Sequence, residues 1–585
     1  MPKIRFARRS PRRARLQLGS HTWLLAAAWV VVLGAGIALR MWIAAHRTLS
    51  SDEVVVALMA ERILGGHLRA FYPGQYYGGI GAYPLAALFA IVGPSPWAVA
   101  AAPVGLNLVA SLLLWRLAKA MGMGGAGLLG AGLFWVFPYN YVWMGQFQGG
   151  FRWVVLDAGL ASMLFATKIL ASPKRWGMWF LLGLAAGVGL WGSLEIAYFV
   201  LPILAVLISR IIVMAARKWR QAVALAPRVL TAALGMVIGA SPWLFDTLVA
   251  NDKTLSAPVG KYGYLEHLNV FFTRMLPIIF GVGSFPPGFW FLGTTVGITL
   301  FVILSVLVVL AMVLWLTSWN TAMLTAAAAA YPFLYAMPPT SWYWQDGRYG
   351  IYLVPISCLA ISYGLLRLGK AVAWIGIKMG AGVGIRQVVA VTVAGALLVG
   401  GTASSTFTLE RIFGSLAKDH LFPPASATLD TKHYYATLAS QLEARHINRL
   451  YANYWLAYPL DFYSHGKVLA TPVGLVRYPS IYCRVATAPK AAWLFGIPPL
   501  LLWPNSSQPT AAGLNAAYYR PAGLRSQQLM ALLHSKGIHF HLVVLSSHFE
   551  IIETTPNASS VAQKLSPKPT DCASPSRRST SNSGG

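Results

Sequence analysis

Long apolar runs dominate the first 404 residues of the chain and limit what it can fold into. Of the 585 residues, 56% are hydrophobic and only 11% are charged, and the mean hydropathy is +0.57. A membrane-spanning helix needs about 20 consecutive, mostly apolar residues, and the runs have that length. The pattern excludes a soluble multidomain protein and indicates a polytopic α-helical membrane protein.

The apolar runs predict about 11 transmembrane helices, within a range of ten to thirteen. The run at 177–214 counts as two spans, because it is broken near Gly192 to Glu195. The predicted spans lie at 22–43, 97–117, 126–142, 151–170, 177–214, 229–248, 290–316, 320–337, 350–367 and 387–403.

The strong positive charge fits a membrane protein. The chain has 46 Lys and Arg against 17 Asp and Glu, a formal net charge of +29. Its first 20 residues are strongly basic and lack a clear small-residue cleavage site, which predicts a retained signal anchor with a cytoplasmic N-terminus. No nucleic-acid-binding motif is present, so we expect contact with membrane lipids and no nucleic acid as partner.

With the N-terminus inside, the acidic residues before position 404 all fall on the outer side, in loops or at outer span ends. Acids hardly influence orientation, so this bias indicates a polar site on that side. The acids are Asp52, Glu53, Glu61, Asp157, Glu195, Asp246, Asp252, Glu266 and Asp346.

The composition divides the chain into four parts. Residues 1–20 form a basic cytoplasmic tail, 21–404 a transmembrane domain with a first outer loop at 44–96, and 405–553 a small extracytoplasmic α/β module. The tail at 554–585 has a disordered composition. Within the module, periodicity predicts helices at 433–447 and 524–537 and strands at 449–454, 467–473, 482–488 and 539–545.

Cysteine and histidine spacing gives little evidence for metal or disulfides. Cys358 lies in an apolar run, so only Cys483 and Cys572 could pair, and no disulfide framework is present. His539 and His541 would share one face of a strand, which more often reflects ordinary strand composition than a metal site. The sequence predicts no certain cofactor and leaves a divalent metal possible.

The segment Ser50-Ser51-Asp52-Glu53 directly follows the first span and has two interpretations. Ser50 and Glu53 have the spacing of a helix capping box, and Gly65-Gly66 can end the helix. Alternatively, a carboxylate at the membrane surface can act as a general base between a lipid-borne substrate and a water-side one. The position beside the aromatic, glycine-rich segment FYPGQYYGG favours the second interpretation for Asp52.

A second candidate lies in the segment YWQDGRYG, where Arg348 is the lone cation at an outer span end. A guanidinium forms bidentate, charge-assisted hydrogen bonds with phosphate, and Tyr349 could donate to the same phosphate. The alternative is an arginine that anchors the membrane interface or pairs with Asp346.

Polar or glycine-rich segments at 71–79, 145–151 and 189–202 suit the lining of a cavity, although ordinary packing of small residues explains them nearly as well. The possible lining residues are Gln75, Tyr77, Asp157, Glu195 and Asp346.

Taken in order, these motifs resemble those of the GT-C superfamily of membrane glycosyltransferases. The resemblance rests on the first-loop Asp-Glu, GQYYGG followed by AYPLAALFAIVGPS, GLAAGVGLWGSLE, GASPWLFDTLVAN and GRYGIYLVP. The nearest branch is the protein O-mannosyltransferase and lipid A aminoarabinose transferase group. The segment at 451–479 is similar to a module appended to bacterial relatives.

The resemblance implies an inverting transferase that uses a polyprenyl-phosphate-linked sugar on the outer face of the membrane. It implies that Asp52 is the general base, that Glu53 orients the acceptor or Asp52, and that Arg348, with Tyr349 beside it, binds the donor phosphate. The chain departs from bacterial relatives at Gly79-Ile80-Gly81-Ala82, where they often carry an acid. Some members use a divalent metal and others do not.

The expected partners are therefore a polyprenyl-phosphate sugar donor, a lipid, polysaccharide or protein acceptor, and membrane lipids. A bacterial inner membrane is the favoured location. Two other functions remain open at this stage. One is a transporter or flippase of lipid-linked or small solutes, and the other is a non-catalytic membrane protein whose module binds a glycan.

Overall fold

The computed structural model describes residues 11–45, 47–75, 77–249, 263–283, 290, 293–338, 347–378, 385–418, 434–496, 524–546, 549–555, 557–565 and 572. These residues form a large helical part, up to residue 418, and a smaller α/β module from residue 434. A polytopic helical fold with a small C-terminal α/β module was expected, and this architecture is confirmed.

Seventeen helices of the described residues make up the helical part. Apolar side chains cover most of their surfaces, as a lipid environment requires. They are α1 (Pro11–Ala45), α2 (Ser51–Leu64), α3 (Ala82–Val92), α4 (Pro96–Ala120), α5 (Gly124–Val136), α6 (Tyr139–Met144), α7 (Arg152–Ala171), α8 (Trp176–Gly192), α9 (Ala197–Val223), α10 (Ala226–Gly239), α11 (Ser241–Val249), α12 (Tyr264–Val270), α13 (Leu276–Ile279), α14 (Thr294–Trp315), α15 (Trp319–Tyr335), α16 (Val354–Lys378) and α17 (Ile385–Lys418).

Several of these helices are long and apolar enough to cross a membrane. In the described residues five segments meet that criterion, at 96–120, 152–171, 194–223, 294–315 and 354–378, and α10 with α11 forms a sixth if this pair, bent by 64°, is one span. Shorter apolar helices match other predicted runs, including α5 and α8. The protein is integral to the membrane, while the count of eleven spans stays a prediction.

The predicted break in the run at 177–214 is confirmed. Helix α8 ends at Gly192, and a single 3-10 turn at Leu194–Ile196 separates it from α9. The Ser193 hydroxyl caps this turn by accepting a hydrogen bond from the Glu195 backbone N–H at 3.2 Å. The break leaves Glu195 at a helix end instead of in the middle of a continuous span.

Close backbone contact between α8 and α10 depends on glycine. A Cβ atom on Gly183 would lie 1.8 Å from the carbonyl oxygen of Ala232, and one on Gly187 would lie 2.2 Å from that of Met236. Small residues four apart let two membrane helices approach at backbone distance, where van der Waals contacts replace the missing hydrophobic driving force. Packing of small residues thus explains Gly183 and Gly187 of α8.

Arg40 is buried in the helical part and shows how a membrane helix accommodates a charge. Its side chain has no solvent exposure, and its Nη1 donates to the carbonyl oxygens of Gly36 at 3.0 Å and Trp135 at 2.8 Å. Its Nη2 donates to the side-chain oxygen of Asn107 at 2.5 Å. The hydrogen bonds join α1 to α4 and α5 and offset part of the cost of burying the guanidinium.

The module contains one five-stranded sheet with helices beside it. The strand order is β2-β1-β3-β5-β4, in which β1 pairs in parallel with β2 and β3, and β5 pairs antiparallel with β3 and β4. The strands are β1 (Arg449–Ala452), β2 (Leu469–Pro472), β3 (Ala491–Gly496), β4 (His539–Ser546) and β5 (Phe549–Thr555). The helices are α18 (Tyr434–Ala444), α19 (Tyr454–Tyr463), α20 (Pro479–Ala486), α21 (Ser526–Ser535) and α22 (Ser559–Leu565).

The predicted elements of the module are mostly confirmed, with one error. The strand expected at 482–488 is wrong, because Pro479–Ala486 forms helix α20. Pro479 occupies the first helical turn, where its missing N–H costs nothing, and the apolar residues Ile481, Tyr482 and Val485 face the core at helical spacing. The strand was predicted because this short apolar run also fits the two-residue period of a strand.

Ordered structure crosses two of the boundaries expected from composition. Helix α17 continues through 404 to Lys418. Strand β5 and helix α22 extend the module to Leu565, past residue 553, where the module was expected to end. Farther on, Cys572 forms a disulfide with Cys483 of α20, the one pair that the sequence allowed.

Replacing Gly183 by Ala will destabilise the protein. The added methyl group must displace the backbone of α10, and overpacking of this kind typically costs about 1–3 kcal/mol. The matched control is Gly177→Ala in the same helix, where a Cβ has no atom within 4 Å. Thermal unfolding in detergent should show a lower Tm for Gly183→Ala only. Equal Tm values for the two variants would contradict the proposed backbone contact.

Candidate active site

The start of α2 has the predicted helix cap. Ser50 is the N-cap residue, its hydroxyl accepts from the Glu53 N–H at 3.4 Å, and the Glu53 carboxylate accepts from the Ser50 N–H at 3.0 Å. Gly65 ends the helix, with Gly66 at a φ of +83°. The capping-box interpretation is therefore confirmed, and it fixes the direction in which the first turn presents Asp52.

Glu53 is also the centre of a buried ion pair. Arg47 Nη1 and Nη2 each donate to one carboxylate oxygen of Glu53, both at 2.6 Å. The two side chains are 3% and 0% exposed, so the pair is shielded from water. A bidentate geometry with every carboxylate oxygen engaged offsets the cost of burying two charges.

The ion pair extends to the loop before α7. Arg47 Nε donates to the side-chain oxygen of Gln146 at 2.6 Å, and the backbone N–H of Gln148 donates to Glu53 at 3.1 Å. Glu53 is thus saturated with donors from two chain segments, Arg47 with Ser50 and the loop at Gln148. Its position holds α2 against the loop at 145–151 and leaves no oxygen for a substrate.

The module docks directly on α2. The Ser51 hydroxyl donates to the carbonyl oxygen of Tyr454 at 2.6 Å, and the Tyr478 hydroxyl donates to the carbonyl oxygen of Val55 at 2.6 Å. Nearer the other end of the helix, the Arg62 guanidinium lies 4.2 Å from the ring centroid of Tyr478. These contacts place helix α19 and the segment before α20 beside the first turn of α2.

A cavity of about 300 Å³ lies at this junction. Its walls come from α2, the loop at 72–77, the segment at 144–152, Arg348 and the module. The described residues that line it are Asp52, Val55, Val56, Tyr72, Gln75, Tyr77, Met144, Phe147, Gln148, Gly149, Gly150, Phe151, Arg152, Arg348, Tyr454, Trp455, Leu475 and Arg477.

The charges in this cavity are strongly asymmetric. Among its described lining residues, Asp52 is the one carboxylate, and three guanidinium groups belong to Arg152, Arg348 and Arg477. The described residues contain no group of three His, Cys, Asp or Glu side chains that could hold a metal ion. The described lining therefore fits an anion such as a phosphate.

Asp52 receives a hydrogen bond from the module. The Tyr454 hydroxyl donates to Asp52 Oδ1 at 2.7 Å. Burial, and then the negative charge of Asp52, raise the pKa of Tyr454 well above its usual value, while the Arg477 guanidinium acts in the opposite direction. The phenol therefore stays protonated and acts as a donor to the carboxylate at physiological pH.

Arg477 connects the module to the loop that carries Gln75. Its Nη1 donates to the carbonyl oxygen of Gly74 at 2.6 Å, and the Gln75 amide accepts from the same guanidinium when its oxygen is oriented toward it. The guanidinium carbon also lies 5.9 Å from the ring centroid of Tyr454. One arginine thus touches both the membrane-side loop and the phenol that donates to Asp52.

A second carboxylate stands behind the cavity wall. Glu195 lies 3.8 Å from Arg152 Nη2 and accepts a 2.5 Å hydrogen bond from the Tyr352 hydroxyl. The Arg152 guanidinium also lies 5.4 Å from the ring centroid of Tyr349. Glu195 therefore partly neutralises Arg152 and holds it in the cavity wall.

Close backbone packing supports the floor of the site. Gly79–Gly81 forms a 3-10 turn, and a Cβ on Gly81 would lie 2.1 Å from the carbonyl oxygen of Gly150. A side chain at this position would push the turn at Gly79–Gly81 away from Gly150 and from the Tyr72 hydroxyl. This explains in part why no acid stands in the Gly79-Ile80-Gly81-Ala82 segment.

The structure brings four of the predicted site residues into the cavity wall, namely Asp52, Arg348, Gln75 and Tyr77. Glu53, Tyr349 and Glu195 lie behind that wall. Asp157 lies in α7 with both carboxylate oxygens buried and without a hydrogen bond in the described part of the chain. Asp346 lies outside the described residues.

The sequence did not single out the module's share of this site. Tyr454, Trp455 and Arg477 line the cavity from the module, and Arg152 lines it from α7. The module residues lie in the segment at 451–479 that already resembled the appended module of bacterial relatives. Nothing in that segment, however, could indicate that it folds back onto Asp52, more than 400 residues away.

Comparison with known proteins identifies the fold. No protein-family model and no curated protein matches the sequence. Two crystal structures of ArnT from Cupriavidus metallidurans do match, one in the apo state and one bound to undecaprenyl phosphate. Their TM-scores are 0.56 and 0.54, each at 13% identity, over 90% of this chain and 98% of ArnT.

A third solved structure is more distant. The oligosaccharyltransferase of Archaeoglobus fulgidus, in complex with Zn and sulfate, has a TM-score of 0.46 at 11% identity, over 90% of this chain and 73% of its own. The similarity to ArnT is sufficient on its own to show a shared fold. The GT-C type fold expected from the sequence is therefore confirmed.

Glu53 and Asp52 should differ sharply in their effect on stability. Glu53→Gln leaves the Arg47 charge buried without its partner, and breaking a buried pair typically costs about 3–5 kcal/mol. Asp52→Asn keeps an acceptor for Tyr454 at a half-buried site, so its cost should stay below about 1 kcal/mol. Thermal unfolding of the two variants in detergent checks this. A stability loss of the same size in both would contradict the different roles.

Proposed function

We propose that this protein, which has the GT-C type fold, is a glycosyltransferase that moves a sugar from a polyprenyl-phosphate-linked donor to an acceptor, with inversion at the anomeric carbon. One observation carries the proposal. Among the described residues that line a cavity of about 300 Å³, a single carboxylate, that of Asp52, lies with the guanidinium groups of Arg152 and Arg348. Transfer from a sugar phosphate needs a proton acceptor and an anion-binding group, and this cavity contains both.

Asp52 would act as the general base that deprotonates the acceptor. In the reaction an acceptor hydroxyl loses its proton to the carboxylate of Asp52 while its oxygen forms a bond to the anomeric carbon. A positioned general base typically contributes about 10²–10⁴-fold in rate. The hydrogen bond from Tyr454 occupies Oδ1 at 2.7 Å, which leaves Oδ2 as the proton acceptor.

Arg348 would stabilise the phosphate leaving group. As the new bond forms, the bond between the anomeric carbon and the phosphate oxygen breaks, and polyprenyl phosphate departs with the electron pair. A guanidinium stabilises this developing charge through charge-assisted hydrogen bonds, and removal of one such donor typically costs about 2.7–4 kcal/mol of transition-state stabilisation. Arg152, which is partly neutralised by Glu195, would add to the positive potential.

The location of the cavity suits two substrates of different polarity. It lies where the membrane helices meet the module, so a lipid-linked donor could enter from the bilayer and an acceptor from the aqueous side. Holding both substrates in reacting geometry supplies much of the rate enhancement of such a transfer. The undecaprenyl phosphate in one ArnT structure, which has the same fold, supports a prenyl phosphate as the donor carrier.

The remaining features of the proposal concern orientation, location and acceptor. The basic N-terminal tail supports an N-terminus in the cytoplasm, and with the predicted odd number of spans the module would lie on the opposite side. We propose a bacterial inner membrane as the location and a lipid, polysaccharide or protein as the acceptor. The described residues of the cavity do not form a metal site, and no step above is routed through a metal.

Arg348→Ala should abolish retention of the donor lipid. Native mass spectrometry in mild detergent should detect polyprenyl phosphate or its sugar form bound to the wild type and lost from this variant, since the phosphate loses its guanidinium partner. Arg367→Ala is the control, because Arg367 lies exposed on α16 and bonds Tyr363. If the lipid stays bound to Arg348→Ala as it does to the control, Arg348 is not the phosphate ligand.

Asp52→Asn should bind the donor and fail to use it. An amide cannot accept the acceptor's proton, so turnover should fall by about 10²–10⁴-fold while the sugar form of the lipid accumulates on the protein. The control is Glu266→Gln, an exposed acid of α12 that does not line the cavity. The measurement is the ratio of the sugar form to free polyprenyl phosphate on each purified variant. A ratio of sugar form to free lipid equal to that of the wild type would show that Asp52 is not the general base.

A further inference from the structure

The side of the cavity opposite the membrane helices belongs to the C-terminal module. Four module residues line it, namely Tyr454, Trp455, Leu475 and Arg477. Two of them make polar contacts with residues before position 80, since Tyr454 bonds Asp52 and Arg477 bonds Gly74. A module that merely bound a glycan elsewhere would have no need to reach the carboxylate that we propose as the base.

We propose that Tyr454 and Arg477 are positioning residues of the active site, so that the module contributes residues that the transfer reaction requires. The inference rests on the proposed function. Tyr454 would hold the carboxylate of Asp52 in the orientation that leaves Oδ2 toward the acceptor. Arg477 would hold the Tyr454 ring and the loop at Gly74 and Gln75 together.

The geometry of Tyr454 supports this role. The ring has little freedom, because Tyr454 is 8% exposed, its backbone carbonyl accepts a 2.6 Å hydrogen bond from Ser51, and its ring packs edge-on against Trp455 and Tyr458 at 5.1 and 5.6 Å between centroids. The hydroxyl therefore points at Asp52 from a rigid support. Groups that orient a catalytic side chain act by such preorganisation.

The backbone around Tyr454 provides a second support. Asn453 caps helix α19, and its side-chain oxygen accepts from the N–H groups of Trp455 and Leu456 at 2.9 and 3.0 Å. Tyr454 is thus the first residue of a capped helix, and only Asn453 separates it from the end of strand β1. The sheet, through this cap, fixes where the phenol stands relative to α2.

The test compares Tyr454→Phe with Tyr482→Phe. The first change removes the hydroxyl that bonds Asp52. The second removes a buried hydroxyl of the same module that makes no hydrogen bond within the described residues and does not line the cavity. Wild type and variants are reconstituted in proteoliposomes with the prenyl-lipid fraction of the source cells. A detergent extract of the cell envelope supplies the acceptor at increasing concentration.

Mass spectrometry follows the conversion of polyprenyl-phosphate sugar into polyprenyl phosphate. We expect Tyr454→Phe to lower the maximal rate by about tenfold to a hundredfold, the range for loss of a hydrogen bond to a charged group. The extract concentration at half-maximal rate and the amount of prenyl lipid bound should not change. Tyr482→Phe should match the wild type in all three quantities.

Arg477→Gln provides an independent variant, should Tyr454→Phe fold poorly. It leaves the Tyr454 hydroxyl in place and removes the guanidinium that holds the ring and the Gly74 loop. We expect a lower maximal rate with an unchanged extract concentration at half-maximal rate. A planar amide cannot replace the two-sided contact of the guanidinium fork.

The outcomes separate this inference from the proposed function. If the wild type converts no donor, the proposed function fails and the inference fails with it. If the wild type is active and Tyr454→Phe equals it, the inference is wrong and the function stands. If Tyr454→Phe changes only the extract concentration at half-maximal rate, Tyr454 binds the acceptor. If Tyr482→Phe lowers the maximal rate as much as Tyr454→Phe does, the loss of rate reflects a less stable module. Either result overturns the positioning role.

Discussion

The buried ion pair between Arg47 and Glu53 is the interaction on which the site depends. It joins the end of the first span, the first turn of α2 and the loop at 145–151, with both N–O distances at 2.6 Å and almost no solvent exposure. A pair of this kind contributes more to register than to stability, because its desolvation cost is large. The consequence is local, since a fixed first turn can present Asp52 to the cavity in a single direction.

The second constraint is that the groups proposed to act in the cavity come from three separate parts of the chain. Asp52 comes from the first loop, Arg348 from the segment before α16, and Tyr454 with Arg477 from the module. Asp52, Arg348 and Tyr454 each lie at the beginning of a helix or helical turn, and Arg477 lies two residues before α20. A preorganised arrangement of this kind lowers the cost of reorganisation during charge transfer. It also explains why the module contacts α2 so closely, through Ser51 and Val55.

The sequence predicts the fold well because membrane helices follow a simple rule of length and hydropathy. It predicts the break at Gly192 to Glu195 and the capping box at Ser50 for equally local reasons. The strand expected at 482–488 fails because a short apolar run fits both periods. The assignment of roles within Asp52-Glu53 needs the structure, since only the fold shows that Arg47 and Gln148 saturate Glu53. Tyr454 could not be linked to Asp52 from the sequence, because the contact joins residues 402 positions apart.

The account can be tested most directly by a cryo-electron microscopy structure of the protein with undecaprenyl phosphate. We expect the phosphate to lie in the cavity that Asp52, Arg348 and Tyr454 line, within hydrogen-bonding distance of the Arg348 guanidinium. The Asp52 carboxylate should lie across from the phosphate and still accept the hydrogen bond from Tyr454. A phosphate bound elsewhere, or one in this cavity without contact to Arg348 and with Asp52 turned away, would contradict the account.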